Sequence, residues 1–261
     1  LTHLWSAINE MPTSWATERR HWPLWCQKLI TSVPSSTTMS RRFKAQSVLD
    51  FLAAVLEEAQ ADLPVTLWRM VDGKPLPIGG GSGDKQAGYG RAVGGKAKGY
   101  KLHVLLDSSG KILGWRIAPM NVPEQRMAAR LLRDADGEGY CAGDANYHSN
   151  ELCGRGRTKG VQMVAKRRKR GSGGLGKGRC RHDPARLRSV QMTEGPSGFG
   201  RDLLEQRDTI ERHFANLTNF GGGLGPLPAW VRTWRRVHRW VAAKLAIYAV
   251  KELLRREAKA A

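Results

Sequence analysis

The sequence predicts an α/β protein in which a mixed sheet carries helices on its faces, with a helical segment before it and a basic helical extension after it. Three observations carry this. From Leu63 onward, apolar runs of strand length and amphipathic runs of helix length follow the order strand, strand, strand, helix, strand, strand, helix. "YKLHVLLDSSGKILGWRIAPM" holds two such runs joined by Ser-Ser-Gly, a hairpin signal. The chain has 261 residues, 41 % of them apolar, with nine tryptophans, which is enough for a real core and excludes a disordered chain.

Residues 1–34 read as a short helical or irregular head, with Trp5, Trp15, Trp22 and Trp25 set among prolines and charges. "SSTTMSRRFKAQSVLDFLAAVLEEAQ" then reads as one helix, capped by Ser or Thr at 36–38 and striped by Met39, Phe43, Phe51, Leu52, Val55 and Leu56. Its early turns are basic and its late turns acidic, which opposes the helix dipole at both ends. Something other than helix stability therefore placed Arg41, Arg42 and Lys44 there. "VTLWRMVDGKPL" reads as a strand whose apolar run ends in Asp72, and the glycine-rich, basic stretch from Gly79 to Gly99 as a flexible loop. No Gly-Lys-Ser/Thr follows those glycines, so they do not form a phosphate-binding loop. The hairpin leads to "VPEQRMAARLLRDA", a helix opened by Pro123 and Glu124. "GYCAGDAN" and "GVQMVAKRR" are two further strands, followed by a basic, glycine-rich loop over 166–188. "RDLLEQRDTIERHFANL" reads as a helix, and Leu227 to Lys259 as a long basic helix with Pro228 near its start. There is no internal repeat.

Lys and Arg number 43 against 23 Asp and Glu, a net charge of +20. Such an excess favours a polyanionic partner, nucleic acid first and an anionic membrane second. No run approaches a membrane span, and no secretory pattern opens the chain. The expectation is a soluble, intracellular protein. A first residue that is Leu rather than Met suggests an alternative start or a missing upstream piece. The four cysteines (Cys26, Cys141, Cys153, Cys180) are scattered, which fits a reducing compartment better than a disulfide framework. They contain no CxxC pair, so a zinc site with His182 is disfavoured.

Three acids sit at comparable places: Asp72 after the first strand, Asp144 after the fourth, and Glu211 on the helix after the fifth. Ends of neighbouring parallel strands lie about 5 Å apart, so Asp72 and Asp144 can face one another. Two close carboxylates repel unless a proton or a cation intervenes. Oxygen donors alone suit Mg²⁺ or Mn²⁺ rather than zinc. A third acid from a packed helix would complete a site for two such ions, an arrangement that supports in-line attack on phosphodiesters. Each acid taken singly reads as a solvated turn or helix-surface residue.

In their order, "MVDGKPLPI" with Asp72, "KAKGYKLH", "APMNVPEQ", "GDANYHSN" with Asp144, and "RDTIERHFANLTNFGGGLGPLPAWVRTWRRVHRWV" with Glu211 resemble the DDE transposases of bacterial insertion sequences. The resemblance runs from about Val33 to Lys251. It implies a ribonuclease H-like core, a catalytic triad of Asp72, Asp144 and Glu211 holding two Mg²⁺ or Mn²⁺ ions, and cleavage of the element's DNA ends followed by strand transfer. Arg207 and Glu211 match the Arg-x₃-Glu core of the third-acid motif, an i,i+4 pair on one helix face, and Arg207 would orient Glu211 or contact a phosphate. The family often has Tyr where this chain has Leu204 and Lys where it has Thr218. Those departures keep two alternatives open: a structure-selective nuclease on the same fold, and a decayed copy that only binds DNA. The implied partners are the element's terminal repeats and target DNA, with a homodimer in the active complex and no membrane. The implied setting is the bacterial cytoplasm, on the nucleoid when bound.

Domain limits follow. Residues 1–62 form a helical segment that is a candidate for DNA binding through Arg41, Arg42 and Lys44. Residues 63–220 form the catalytic domain, and 221–261 a basic helical extension. Lys166, Arg167, Arg168, Lys169 and Arg170 form a basic loop suited to phosphates. Arg235 and Arg236 begin a Trp- and Arg-rich run, continuing through Arg239 and Trp240, that is either a core helix with solvated arginines or a face that stacks on unpaired bases. His103 alternates with Leu102 and Val104, which puts it on a polar strand face or turns it toward the acids.

Overall fold

The computed structural model describes residues 1–79, 81–167, 182–219 and 223–260. In chain order its elements are α1 (Thr2–Ile8), α2 (Leu24–Leu29), α3 (Ser36–Arg42), α4 (Gln46–Glu58), β1 (Trp68–Pro77), β2 (Gly88–Ala92), β3 (Gly95–Asp107), β4 (Ile112–Pro119), α5 (Glu124–Asp134), β5 (Gly139–Gly143), α6 (Asn150–Arg157), β6 (Val161–Ala165), α7 (Pro184–Glu194), α8 (Phe199–Glu205), α9 (Asp208–Asn219) and α10 (Trp234–Ala260). They fall into two compact units. One comprises residues 1–62, 81–85 and 215–261, the other 63–80 and 86–214.

In the first unit, the indole of Trp5 stacks on Trp15 and Trp22 at centroid distances of 6.4 and 5.4 Å. The single helix expected over 35–60 is two, because Phe43 to Ala45 turn back and Ala45 is extended. This break resolves the charge conflict seen in the sequence. Arg41 and Arg42 lie in the last turn of α3, where the helix dipole favours cations. Ser35 caps that helix by accepting the Thr38 N–H. Leu52 and Leu56 are the buried face of α4, whereas Phe51, expected in the stripe, is 51 % exposed. The final helix starts at Trp234, six residues beyond Pro228, after Thr233 takes a positive φ of 69°. Its Arg239 and Trp240 are core residues, with Arg239 donating to the Lys44 carbonyl at 2.7 Å. Lys244 is buried as well, and its Nζ donates to the Ala7 carbonyl at 2.7 Å. Arg235 and Arg236 are exposed.

The second unit is built on a six-stranded mixed sheet. Along it the order is β4-β3-β1-β5-β6, with β2 sharing the β3 edge that β4 also uses. β1, β3 and β4 are antiparallel, and β5 and β6 run parallel to β1. This is the ribonuclease H-like arrangement. The hairpin turns where expected: the buried Asp107 carboxylate accepts the N–H groups of Ser109 and Lys111 at 2.9 and 3.0 Å, and Gly110 supplies a φ of 90°. α5 lays Ala128, Leu131 and Leu132 against Val71, Leu105 and Cys141 on one face of the sheet.

Further elements differ from expectation. β2 and the first residues of β3 are paired strands rather than loop. Their glycines allow close approach, since a Cβ on Gly90 would sit 2.6 Å from the Met120 carbonyl. α6 was hidden by Gly154 and Gly156, yet Ser149 caps it by accepting the Leu152 N–H. α7 begins inside the expected 166–188 loop, on an Asp183 cap followed by Pro184. The helix expected over 201–217 is also two, α8 and α9, parted at Gln206 and Arg207.

Candidate active site

Asp72 does not close β1, which continues to Pro77, but it lies where the parallel partner of β1 ends. The register of β1 on β5 reaches Met70↔Ala142. Carried two residues further, it sets Asp72 beside Asp144. In-register residues of parallel strands share a face, so both carboxylates belong to the same side of the sheet. The Asp72 carboxylate accepts the Gly73 N–H at 2.8 Å. Burial pushes its pKa up to about 6; the Gly73 N–H and Arg207 oppose this, and Asp144 and Glu124 add to it. Asp144 is a turn residue in its local geometry. Its Oδ1 accepts the Asn146 N–H at 2.7 Å and its Oδ2 the Asn146 Nδ2 at 3.0 Å, ending β5 in a 3-10 turn.

Arg207, just before α9, donates through Nη2 to Glu211 Oε1 at 2.6 Å. Its guanidinium interacts electrostatically with Asp72, Glu211 and Asp144 alike, and these acids favour its charged form while burial opposes it. Glu211 and Asp208 stand in the first turn of α9, where the helix dipole favours anions. Beside Asp144 opens a cavity of about 730 Å³ whose lining includes Lys166, Arg167, Arg201, Leu204 and Arg207. Arg167 also pairs with Glu194 at 3.0 Å. Arg168, Lys169 and Arg170, expected to touch phosphates, lie outside the described residues, as does Cys180.

The donor chemistry suits a hard divalent cation, because all three acids are carboxylates and one, Asp72, is half-buried with its pKa raised. Their spacing is not yet that of a closed site. Among the described residues no three His, Cys, Asp or Glu side chains stand close enough to hold one metal ion, and Glu211 is engaged by Arg207.

Sequence reasoning passed over neighbours of this site. Glu124, at the start of α5, forms an ion pair with Lys101 and acts electrostatically on Asp72. Tyr147 is buried, its hydroxyl has no hydrogen-bond partner among the described residues, and its ring fills the space over Gly143. Both residues stand in stretches whose motifs were recognised, "NVPEQ" and "GDANYHSN", but only the burial of their side chains singles them out. His103 is neither on a polar face nor turned to the acids. It is 0 % exposed, opposite Gly73 in the register, on the sheet face that Asp72 does not use. Burial, with Lys101 assisting, pushes its pKa down to about 3, so it is neutral. Cys141 and Cys153 are buried thiols whose pKa values burial raises to about 12 and 11.

Fold and site together define a ribonuclease H-like protein with carboxylates at the junction of its two central parallel strands. The sequence matches the family model of the transposase DDE domain over residues 67–249, more than half of the chain, and the chain belongs to that family. DDE transposases are DNA-cleaving enzymes of transposition and generally depend on a divalent metal. A cryo-EM structure of a piggyBac transposase synaptic complex with hairpin DNA is similar at a TM-score of 0.49 and 10 % identity, over 98 % of this chain and 66 % of that one. The chain thus spans just under two thirds of that protein's length. No curated protein matches. Among the described residues no helix is long and apolar enough to cross a membrane.

Proposed function

We propose that the chain is a transposase of a bacterial insertion sequence, cleaving the element's DNA ends and joining them to target DNA with Asp72, Asp144 and Glu211 as its catalytic acids. The observation that supports this most directly is the register of β1 on β5, which continued by two residues would put Asp72 beside Asp144, together with the electrostatic interaction of Arg207 with Asp72, Asp144 and Glu211. Asp72 and Asp144 would hold Mg²⁺ or Mn²⁺, and Glu211 would join them once Arg207 releases it to a phosphate. Two such ions, when bound, supply Lewis acidity for attack on a phosphodiester. The chain's own residues do the rest. Arg207, already among the acids, would take the charge of the scissile phosphate. Lys166 and Arg167 would lead the strand along the 730 Å³ cavity. Residues 1–62 and the exposed Arg235 and Arg236 would contribute further phosphate contacts. A homodimer on paired ends, in the bacterial cytoplasm and on the nucleoid, is the expected working state.

The test incubates the protein with Mg²⁺, a duplex carrying the terminal repeats and a target plasmid, and resolves nicked and joined products. Joined products are expected. Asp72→Asn, Asp144→Asn and Glu211→Gln should each lose nicking and joining by several orders of magnitude, non-additively in combination. Binding in Ca²⁺ should survive each change. Nicking without joining would make the chain a nuclease. Binding without either would make it a decayed copy. Near-normal cleavage by Asp144→Asn would return Asp144 to the role of a turn residue.

A further inference from the structure

β2 and the first residues of β3 form a two-stranded ribbon that the catalytic acids do not explain. Its register pairs Tyr89 with Lys98 and Arg91 with Lys96, and antiparallel partners share a face. One face therefore carries an aromatic ring and three cations. The other carries only Gly88, Gly90, Ala92, Gly95, Ala97 and Gly99. The small face is the braced one: Gly88 is buried, and a Cβ on Gly88 or Gly90 would strike Asn121 or the Met120 carbonyl. The cationic face turns outward, with Tyr89 57 % exposed and Arg91 and Lys96 exposed as well. Lys96 holds its Nζ 5.6 Å from the centre of the Tyr89 ring. Neither Lys96 nor Arg91 pairs with a carboxylate among the described residues.

Position ties the ribbon to the acids. β3 runs unbroken from the ribbon to Val104, the register partner of Asp72. Alternate residues of a strand share a face, so Lys96 and Lys98 stand on the sheet face of Val104 and of Asp72 itself. Between them Leu76 and Tyr100 are buried, and the same face reopens to solvent at the ribbon. Counted along β3, Lys98 and Lys96 lie roughly 20–26 Å from Val104, the length of roughly 6–8 base pairs of duplex. Cations gathered on one outward face with no acid among them complement a polyanion. We propose that the cationic face of this ribbon holds the phosphate backbone of duplex DNA roughly 6–8 base pairs from the bond that is cleaved. It rests on the reading of the chain as a DNA-cleaving transposase and adds to it a second hold on the same duplex.

The probe is a set of duplexes carrying one terminal-repeat end, with the arm on either side of the cleaved bond cut back from about 12 to about 4 base pairs and binding measured in Ca²⁺. Wild-type affinity should fall about ten-fold or more once one arm stops short of the ribbon, as the loss of two or three phosphate contacts predicts. Phosphate ethylation roughly 6–8 base pairs from the cleaved bond should interfere with binding. Arg91→Glu with Lys96→Glu, at two exposed positions, should remove the dependence on arm length and flatten the salt slope by about 1–2 units. Arg91→Lys with Lys96→Arg should retain both, because phosphates ask for charge rather than shape. Loss in that exchange would mean base reading and overturn the phosphate role. Lys159→Glu, exposed in the turn before β6 at the opposite end of the sheet, should leave the dependence on arm length unchanged. A wild-type protein that cleaves element ends with no such dependence would overturn the ribbon and leave the catalytic reading intact. Absence of any DNA binding would overturn both. Self-association that Arg91→Glu with Lys96→Glu abolishes, with arm length still felt, would assign the ribbon to a second copy and overturn the proposal.

Discussion

A carboxylate that is partly buried beside other carboxylates holds its charge at a cost, and Asp72 is in that position. Its pKa in the folded chain is raised from 3.8 to about 6, chiefly by burial, with Asp144 and Glu124 adding to it. The folded state therefore binds this proton more tightly than the unfolded state. Stability falls as pH rises from about 4 to 6, and above that the ionised group costs at most roughly 3 kcal/mol. Asp72→Asn, measured in EDTA by thermal melting, should thus raise Tm at pH 8 and change little at pH 4. Equal melting at both values would mean that Asp72 is well solvated and not held among acids. The prediction pairs a gain in stability with a loss of activity in one substitution, the trade expected of a strained catalytic position. The candidate acids could be picked out in the sequence because they stand in quotable motifs, although Asp72 lies inside β1 rather than at its end. The Arg207–Glu211 pair was legible from its spacing. The burial of Tyr147 and the approach of Glu124 were not, since both depend on how α5 and the turn after β5 lie against the sheet. His103 was misread for the same reason. Alternation along β3 is weak evidence when both faces of a central strand are covered.

The elements that the sequence concealed share one physical cause. β2 and α6 are rich in glycine where another segment of the chain passes too close for a Cβ, so propensity pointed to loop while packing demanded strand or helix. Strands with apolar runs, and α5 with its periodic stripe, were legible throughout. Helix lengths were not, because breaks at Phe43–Ala45 and at Gln206–Arg207 carry neither Gly nor Pro. The charge order did signal the first break: cations at the start of one long helix are unfavourable, and at the end of a short one favourable. This changes what Arg41 and Arg42 are expected to do. A recognition helix reads bases from its N-terminal residues, and these arginines close α3 instead. Arg41→Ala with Arg42→Ala should weaken binding to terminal repeats and random DNA alike. It should flatten the salt slope by about 1–2 units, as two lost phosphate contacts would, and cost less than about 2 kcal/mol of stability. A selective loss for terminal repeats would instead give the pair a direct role in reading sequence.

At the scale of the whole chain, the net charge of +20 has to be divided before it means anything. Some cations are structural. Arg69, Arg186, Arg239 and Lys244 are buried, Arg69 donating to the Asp136 carbonyl at 2.6 Å, and they cannot meet a polyanion. Others are already matched, such as Arg116 and Arg133 on Asp134, Arg155 on Glu151, and Arg256 on Asp62. Exposed cations outside the described ion pairs occur in both units, among them Arg41, Arg42, Lys44, Arg235 and Arg236 in one, Lys166 and Arg201 in the other. Each phosphate neutralised contributes a slope of roughly −0.9 in log K against log salt concentration. If most of these seven residues meet phosphates together, the slope on duplex DNA should be steeper than about −4. Titrating binding between about 50 and 200 mM salt should therefore lower affinity by two to three orders of magnitude. Substituting Lys166 and Arg201 should shift the slope by the same amount per residue as substituting Arg235 and Arg236, provided that both units contact one duplex. A slope near −2, with only one of these pairs affecting it, would mean that a single unit carries the DNA and that the charge on the other serves a different purpose.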